Sequence, residues 1–189
     1  MRKGRYIGTL VRKGVRGTTG TTHIAGGALA GAIVGHLTGD PATGAVVGAI
    51  AGLFPDVDHP GSMVGRRFRP VAVLLETVFG HRSITHTIWF AVGISTLAGM
   101  LAGAVNGLLA PFGWVVFSPK LVTLAVGAGV FSHLVLDACT RSGIQPFTPL
   151  PLPGRFKKLE HIHGPLTTGS LLSEALAASV CWLLTLYFL

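Results

Sequence analysis

The chain has 189 residues, enough for one domain with a sizeable core. Only 12% of them are charged, about half the share in soluble globular proteins, while 49% are hydrophobic and mean hydropathy is +0.61, which argues against an ordinary soluble fold and for a polytopic membrane protein. A net charge of +8 could mark a nucleic-acid binder, but in so apolar a chain it fits loops facing anionic lipid, and no direct nucleic-acid contact is expected.

In chain order, residues 1–20 read as a basic cytoplasmic arm, with six Lys/Arg in residues 1–16 and Tyr6 as its single aromatic residue. Ala28-Leu29-Ala30 mimics a signal cleavage site, but the basic region before it is long and the apolar part is Gly-rich, so retention is expected. Residues 21–189 then form a single membrane-embedded domain. Ile24–Leu37 and Ala42–Phe54 are apolar, and Thr38-Gly39-Asp40-Pro41 between them is a turn signal. Together they predict a Gly-rich helical hairpin whose arms approach closely. No Asp, Glu, Lys or Arg occurs from Ser83 to Pro119, 37 residues, where about 20 suffice to cross a bilayer. One span is expected near 86–110, a second near 121–139, and a third from about 169 onward. The fold class is therefore an all-α polytopic integral membrane bundle.

Charge gives this bundle an orientation. The predicted topology puts residues 1–16, 61–82 and 140–168 on one side with 14 of the 15 Lys/Arg, leaving Lys120 opposite. By the positive-inside rule that side is the cytoplasm of an inner-membrane protein.

The same side collects three clusters of metal-binding side chains. They are Pro55-Asp56-Val57-Asp58-His59, His81-Arg82-Ser83-Ile84-Thr85-His86 and His133-Leu134-Val135-Leu136-Asp137, and they hold three of the seven carboxylates in the chain. Ionisable groups at a membrane boundary are costly and usually functional. His133 and Asp137, four residues apart, share one helix face and could share a cation, or form a stabilising polar pair. Asp56, Asp58 and His59 lie between two prolines; a solvated turn competes with a ligand role, with Asp56 expected to face the site. His81 and His86, five apart, suit a loop position and a first helical turn, with the N-cap at Ser83 or Thr85. Arg82 could bind a phosphate or pair with an Asp. His23 follows Thr21-Thr22 and reads equally as a ligand or a capping-region histidine. His36 falls on the opposite side. His161 and His163 read as solvated, and Glu174 suits a helix N-terminus. Cys139 and Cys181 read as packed thiols, without a CxxC.

Mixed imidazole and carboxylate donors suit Zn, Mn or Fe, and about seven candidates allow two or more ions. Such sites activate water and clamp phosphoryl oxygens. No Gly-x-Ser-x-Gly or His-Glu-x-x-His is present.

Thr22-His23-x3-Gly27, Phe54-Pro55-Asp56-Val57-Asp58-His59, His81-Arg82-x2-Thr85-His86-Thr87, Ser132-His133-x3-Asp137, Thr140-x-Ser142-Gly143-x2-Pro146 and Thr168-Gly169-Ser170-x3-Glu174 follow in this order. This series resembles the YdjM-like, LexA-binding family of inner-membrane-associated metal-dependent hydrolases, over nearly the whole chain after residue 20. Thr87 stands where Ser is usual, which preserves a hydroxyl. The resemblance implies an all-helical relative of the zinc-dependent phospholipase C and P1 nuclease superfamily. It further implies His23, Asp56, His81 or His86, His133 and Asp137 as ligands.

The resulting expectation is a membrane-bound hydrolase of phosphate esters with a phospholipid-like substrate. Its metal ligands would come from His23, Asp56, Asp58, His81, His86, His133 and Asp137. Asp58 or His59 would move protons, and Arg82, with Arg66, would hold phosphate. The alternative is a non-catalytic membrane adaptor with a structural metal, binding a cytoplasmic protein such as a LexA-type repressor. A metal or proton transporter would place its ligands near mid-bilayer, against the predicted topology.

Overall fold

The computed structural model describes residues 19–79, 84–166 and 171–189. The basic arm through residue 18, and His81 and Arg82, lie outside these. The described residues hold six α-helices and no strand: α1 Thr19–Thr38, α2 Pro41–Ala51, α3 Arg69–Phe79, α4 Ile88–Leu109, α5 Pro119–Ala138 and α6 Leu171–Phe188.

The predicted hairpin is α1 and α2. Its turn works locally because Asp40 caps α2, its carboxylate accepting from the Thr43 N–H at 3.0 Å, and Pro41 occupies the first turn, where its missing N–H costs nothing. Glycines let the arms touch backbone to backbone. A Cβ on Gly31 would strike the Gly44 carbonyl, and one on Gly27 would strike the carbonyl of Gly48. α5 packs on both arms, and a Cβ on its Gly129 would meet the Gly48 carbonyl. With 11 residues α2 rises about 16 Å, roughly half the hydrocarbon core of a bilayer, so this arm alone does not cross.

Two helical stretches are long and apolar enough to cross a membrane, Ile88–Phe112 and Pro119–Ala138. They match the first two expected spans and pair antiparallel, with Gly99 against Thr123 and Gly127 against Ser95. The third expected span becomes α6, whose apolar stretch Leu172–Phe188 is shorter. It packs along α1 in parallel, and His36 near one C-terminal end meets Phe188 near the other, edge to face at 5.7 Å. α4 leaves Leu97, Met100, Leu101 and Leu108 exposed, and α6 leaves Leu172, Leu183 and Leu186 exposed. Contiguous apolar faces of this kind aggregate in water and are at home in lipid.

The core runs between the helices through Ala51, Ala91, Val126, Val130 and Leu134. Ile144, from the loop after α5, closes its end. The loop is held by Ile144 and Ile162 exchanging backbone hydrogen bonds at 2.9 and 3.0 Å, and it docks on α4 where the Ile88 N–H donates to the Pro146 carbonyl at 3.0 Å. The start of α1, the end of α2, the start of α4 and the end of α5 therefore meet at one end of the bundle.

Candidate metal centre

Four separate stretches deliver five polar side chains to that end. His23 comes from the second turn of α1. Asp56 comes from a 3-10 turn, Pro55–Asp58, that follows α2. His86 precedes α4, and His133 and Asp137 lie on the last turns of α5. His86 and His133 are fully buried, Asp137 is 1% exposed and His23 4%. The Asp56 side chain, 16% exposed, forms the solvent edge of the group.

The donor atoms converge tightly. His86 Nε2 lies 3.3 Å from His133 Nε2 and 3.3 Å from Asp137 Oδ2. His133 Nε2 is 3.6 Å from Asp137 Oδ2. Asp56 Oδ1 is 3.7 Å from His133 Nε2 and 4.0 Å from His86 Nε2. A tetrahedral zinc ion with bonds of about 2.0–2.2 Å separates its ligand atoms by about 3.3–3.6 Å. The spacing of His86, His133 and Asp137 fits that requirement, and Asp56 Oδ1 stands somewhat wider at the edge. His23 joins from the other side. Its ring stacks on His133 at 3.7 Å between centroids, and its Nε2 is 3.6 Å from Asp137 Oδ1. His23 Nδ1 is buried with no hydrogen-bond partner among the described residues. His23, Asp56 and His133 thus make a second grouping able to hold a cation, beside His86, His133 and Asp137.

Both central imidazoles are aimed by outer contacts. His133 Nδ1 lies 2.7 Å from the Gly52 carbonyl, which fixes that nitrogen as the N–H donor and leaves Nε2 free to ligate. Position 52 needs glycine because a Cβ there would come within 2.5 Å of the His23 carbonyl. His86 Nδ1 is 3.7 Å from Asp58 Oδ2, and the Thr85 hydroxyl donates to that oxygen at 2.6 Å. Asp58 therefore stands behind His86, away from the converging nitrogens. Carboxylate–histidine pairs of this kind orient metal ligands. Replacing Thr85 with valine is expected to weaken metal affinity about 10–100-fold while the helices stay intact. Metal titration beside circular dichroism checks this.

Burial works against protonating His86, but hydrogen bonds and charge from Asp137 and Asp58 outweigh it and raise its pKa above the ordinary 6.5. In metal-free protein, the stabilisation from protonated His86 is full below pH 6.5 and is lost as pH rises through the raised value. A cation must displace that proton. Metal affinity should accordingly start to fall above pH 6.5 on acidification, at a higher pH than for an unperturbed histidine. Calorimetric titrations from about pH 8 down to about pH 6 measure it, with proton release as the second readout.

The other candidate residues lie elsewhere. His59 is half-exposed, with its Nδ1 3.8 Å from Glu76 Oε1 on α3. His36 is at the far end of the bundle, and His161 and His163 are exposed on the loop. Glu174 is buried in the first turn of α6. The cap of α4 is Thr87, whose hydroxyl accepts from the Phe90 N–H at 3.2 Å, in place of the expected Ser83 or Thr85. Sequence reasoning missed the Gly52 carbonyl and the Thr85 hydroxyl as positioning groups.

Apolar helices carrying a buried histidine–aspartate cluster at one end define a membrane protein with a candidate metal centre. The family model described as YdjM inner membrane protein matches residues 18–189, and the chain belongs to that family. It is 30% identical over 132 residues to protein YvsG of Bacillus subtilis (strain 168), covering 69% of this chain and 73% of that one. It is 32% identical over 105 residues to the inner membrane protein YdjM of Escherichia coli (strain K12), covering 56% of this chain. The match spans 46% of that relative's length. No solved structure matches the chain.

Proposed function

We propose that the protein is a polytopic, membrane-bound, metal-dependent hydrolase of phosphate esters, acting on a phospholipid-like substrate at the cytoplasmic face. The observation that carries this reading is the convergence of His86, His133 and Asp137 at spacings of 3.3–3.6 Å, which suit a divalent ion, with Asp56 at its edge. A bound ion, Zn before Mn or Fe, would supply Lewis acidity and an activated water, and the His23 grouping would serve a second ion.

The chain's own residues take distinct parts. Asp137 and the two central imidazoles hold the charge in a water-poor recess. Asp58 and Thr85 keep His86 in one orientation. Asp56, the donor with an open edge, is placed to exchange a proton with a substrate arriving from the bilayer rim. Arg66, exposed on the segment after the 3-10 turn, is a candidate phosphate contact, as is Arg82. The inward orientation rests on the predicted topology, which assigns 14 of the 15 Lys/Arg to the side of the cluster.

The test is turnover of a chromogenic phosphodiester and of short-chain phospholipids by purified, metal-replete protein. Metal-dependent hydrolysis, lost on chelation and restored by added Zn, is the expected result. Metal-replete protein without turnover on either substrate class would reject the hydrolase and favour a structural ion in an adaptor that binds a cytoplasmic protein.

A further inference from the structure

The chain leaves the cluster after Asp58 and is back at it by Thr85. The excursion is pinned at its base, where Thr85 donates to Asp58 at 2.6 Å. It carries α3, an 11-residue helix whose inner face is committed: Ala72 is fully buried, and Glu76 approaches His59 at 3.8 Å. Its outer face is not. Phe68, just before the helix, and Val71, Leu74 and Val78 on it form a stripe at intervals of three and four residues, exposed by 58%, 48%, 61% and 60%. Arg66, Arg67 and Arg69 are exposed at the N-terminal end of the helix.

We propose that α3 is an in-plane anchor, its apolar stripe sunk into the headgroup boundary and its arginines on anionic lipid headgroups. The occupant follows from position and charge. His86 sits two residues before the apolar stretch that starts at Ile88, so the cluster lies near one rim of the bilayer. Ten residues separate Asp58 from Arg69, which keeps α3 within reach of that rim. An apolar stripe with arginines at its N-terminal end matches an anionic lipid surface, where each basic residue adds about fivefold to binding. This inference rests on the membrane location alone and needs neither metal nor turnover.

A fluorophore attached at Leu74→Cys, in a background with Cys139→Ser and Cys181→Ser, reports the seating. The full chain is placed one copy per nanodisc, in phosphatidylcholine with or without phosphatidylglycerol. Lys157→Cys serves as the loop reference, and helicity by circular dichroism confirms each variant folds. The expected result is strong quenching at position 74 by headgroup-level spin-labelled lipid, exceeding that at 157 and greatest with phosphatidylglycerol. Replacing Arg66, Arg67 and Arg69 by glutamine should then shift the seating equilibrium by about 100-fold, at about fivefold per arginine. Equal water access at 74 and 157 in both lipids would overturn the proposal. So would a label at 74 shielded from water yet unquenched by lipid, which would mean a protein surface covers the stripe. Lipid quenching indifferent to phosphatidylglycerol and to the arginines would overturn it as well.

Discussion

His133→Ala protein is expected to purify with less than about a tenth of the metal carried by the unaltered chain. Losing an outer-shell contact costs about 10–100-fold in affinity, and His133 is more central than any such contact. Its Nε2 is within 3.7 Å of donor atoms from His86, Asp137 and Asp56, and it belongs to both groupings able to hold a cation. Removing it also takes away the i, i+4 neighbour of the buried Asp137, which keeps His86 and His23 as its imidazole contacts. Asp137→Ala should give the same metal loss. Elemental analysis after gel filtration in detergent reads both, with circular dichroism to show that the helices remain. Unchanged metal content in both variants would remove the metal centre from consideration.

The second large effect is predicted far from any donor atom. Gly31→Leu should destabilise the fold by about 3 kcal/mol or more, the upper range for overpacking, and should also abolish metal binding. The helices cannot relax around the new side chain, because its Cβ alone would overlap the Gly44 carbonyl. Forcing α1 and α2 apart separates His23 from Gly52, and so from the carbonyl that aims His133. Gly93→Ala on α4 is the matched control. A Cβ at Gly93 meets nothing within 4 Å, so alanine there should be neutral or stabilise the helix by up to about 1 kcal/mol. Thermal unfolding in detergent, followed by circular dichroism, ranks the two. A Gly31→Leu protein as stable as Gly93→Ala would refute the close packing of the hairpin.

The hairpin and the two long antiparallel apolar helices could be read in the sequence, because apolar runs and a Gly-Asp-Pro turn are local signals. Most of the cluster could be read as well. Ionisable residues are rare in so apolar a chain, and the His133–Asp137 spacing is the helical repeat itself. Other features had no local trace. The choice between His81 and His86 depends on where α4 begins. Ser83, Thr85 and Thr87 all carry capping hydroxyls, and Thr87 won because Thr85 turns inward to Asp58, 27 residues away. The Gly52 carbonyl is a backbone atom, and composition says nothing about its target. The segment holding α3 carried only a charge count, since Arg66, Arg67 and Arg69 with Pro70 mask an apolar repeat only 11 residues long. Pro70 proved compatible with a helix because it falls in the first turn.

The two ends of the histidine–aspartate cluster, His23 and Asp137, are separated by 114 positions in the chain. During biosynthesis the ribosome delivers the N-terminal part first. His23, Asp56 and His86 must therefore wait, incomplete, until α5 has been made and packed against them. If the cluster holds an ion, as proposed, loading would be a late event of maturation, and a nascent chain arrested before His133 would carry the early candidate ligands with nothing to close them around a cation.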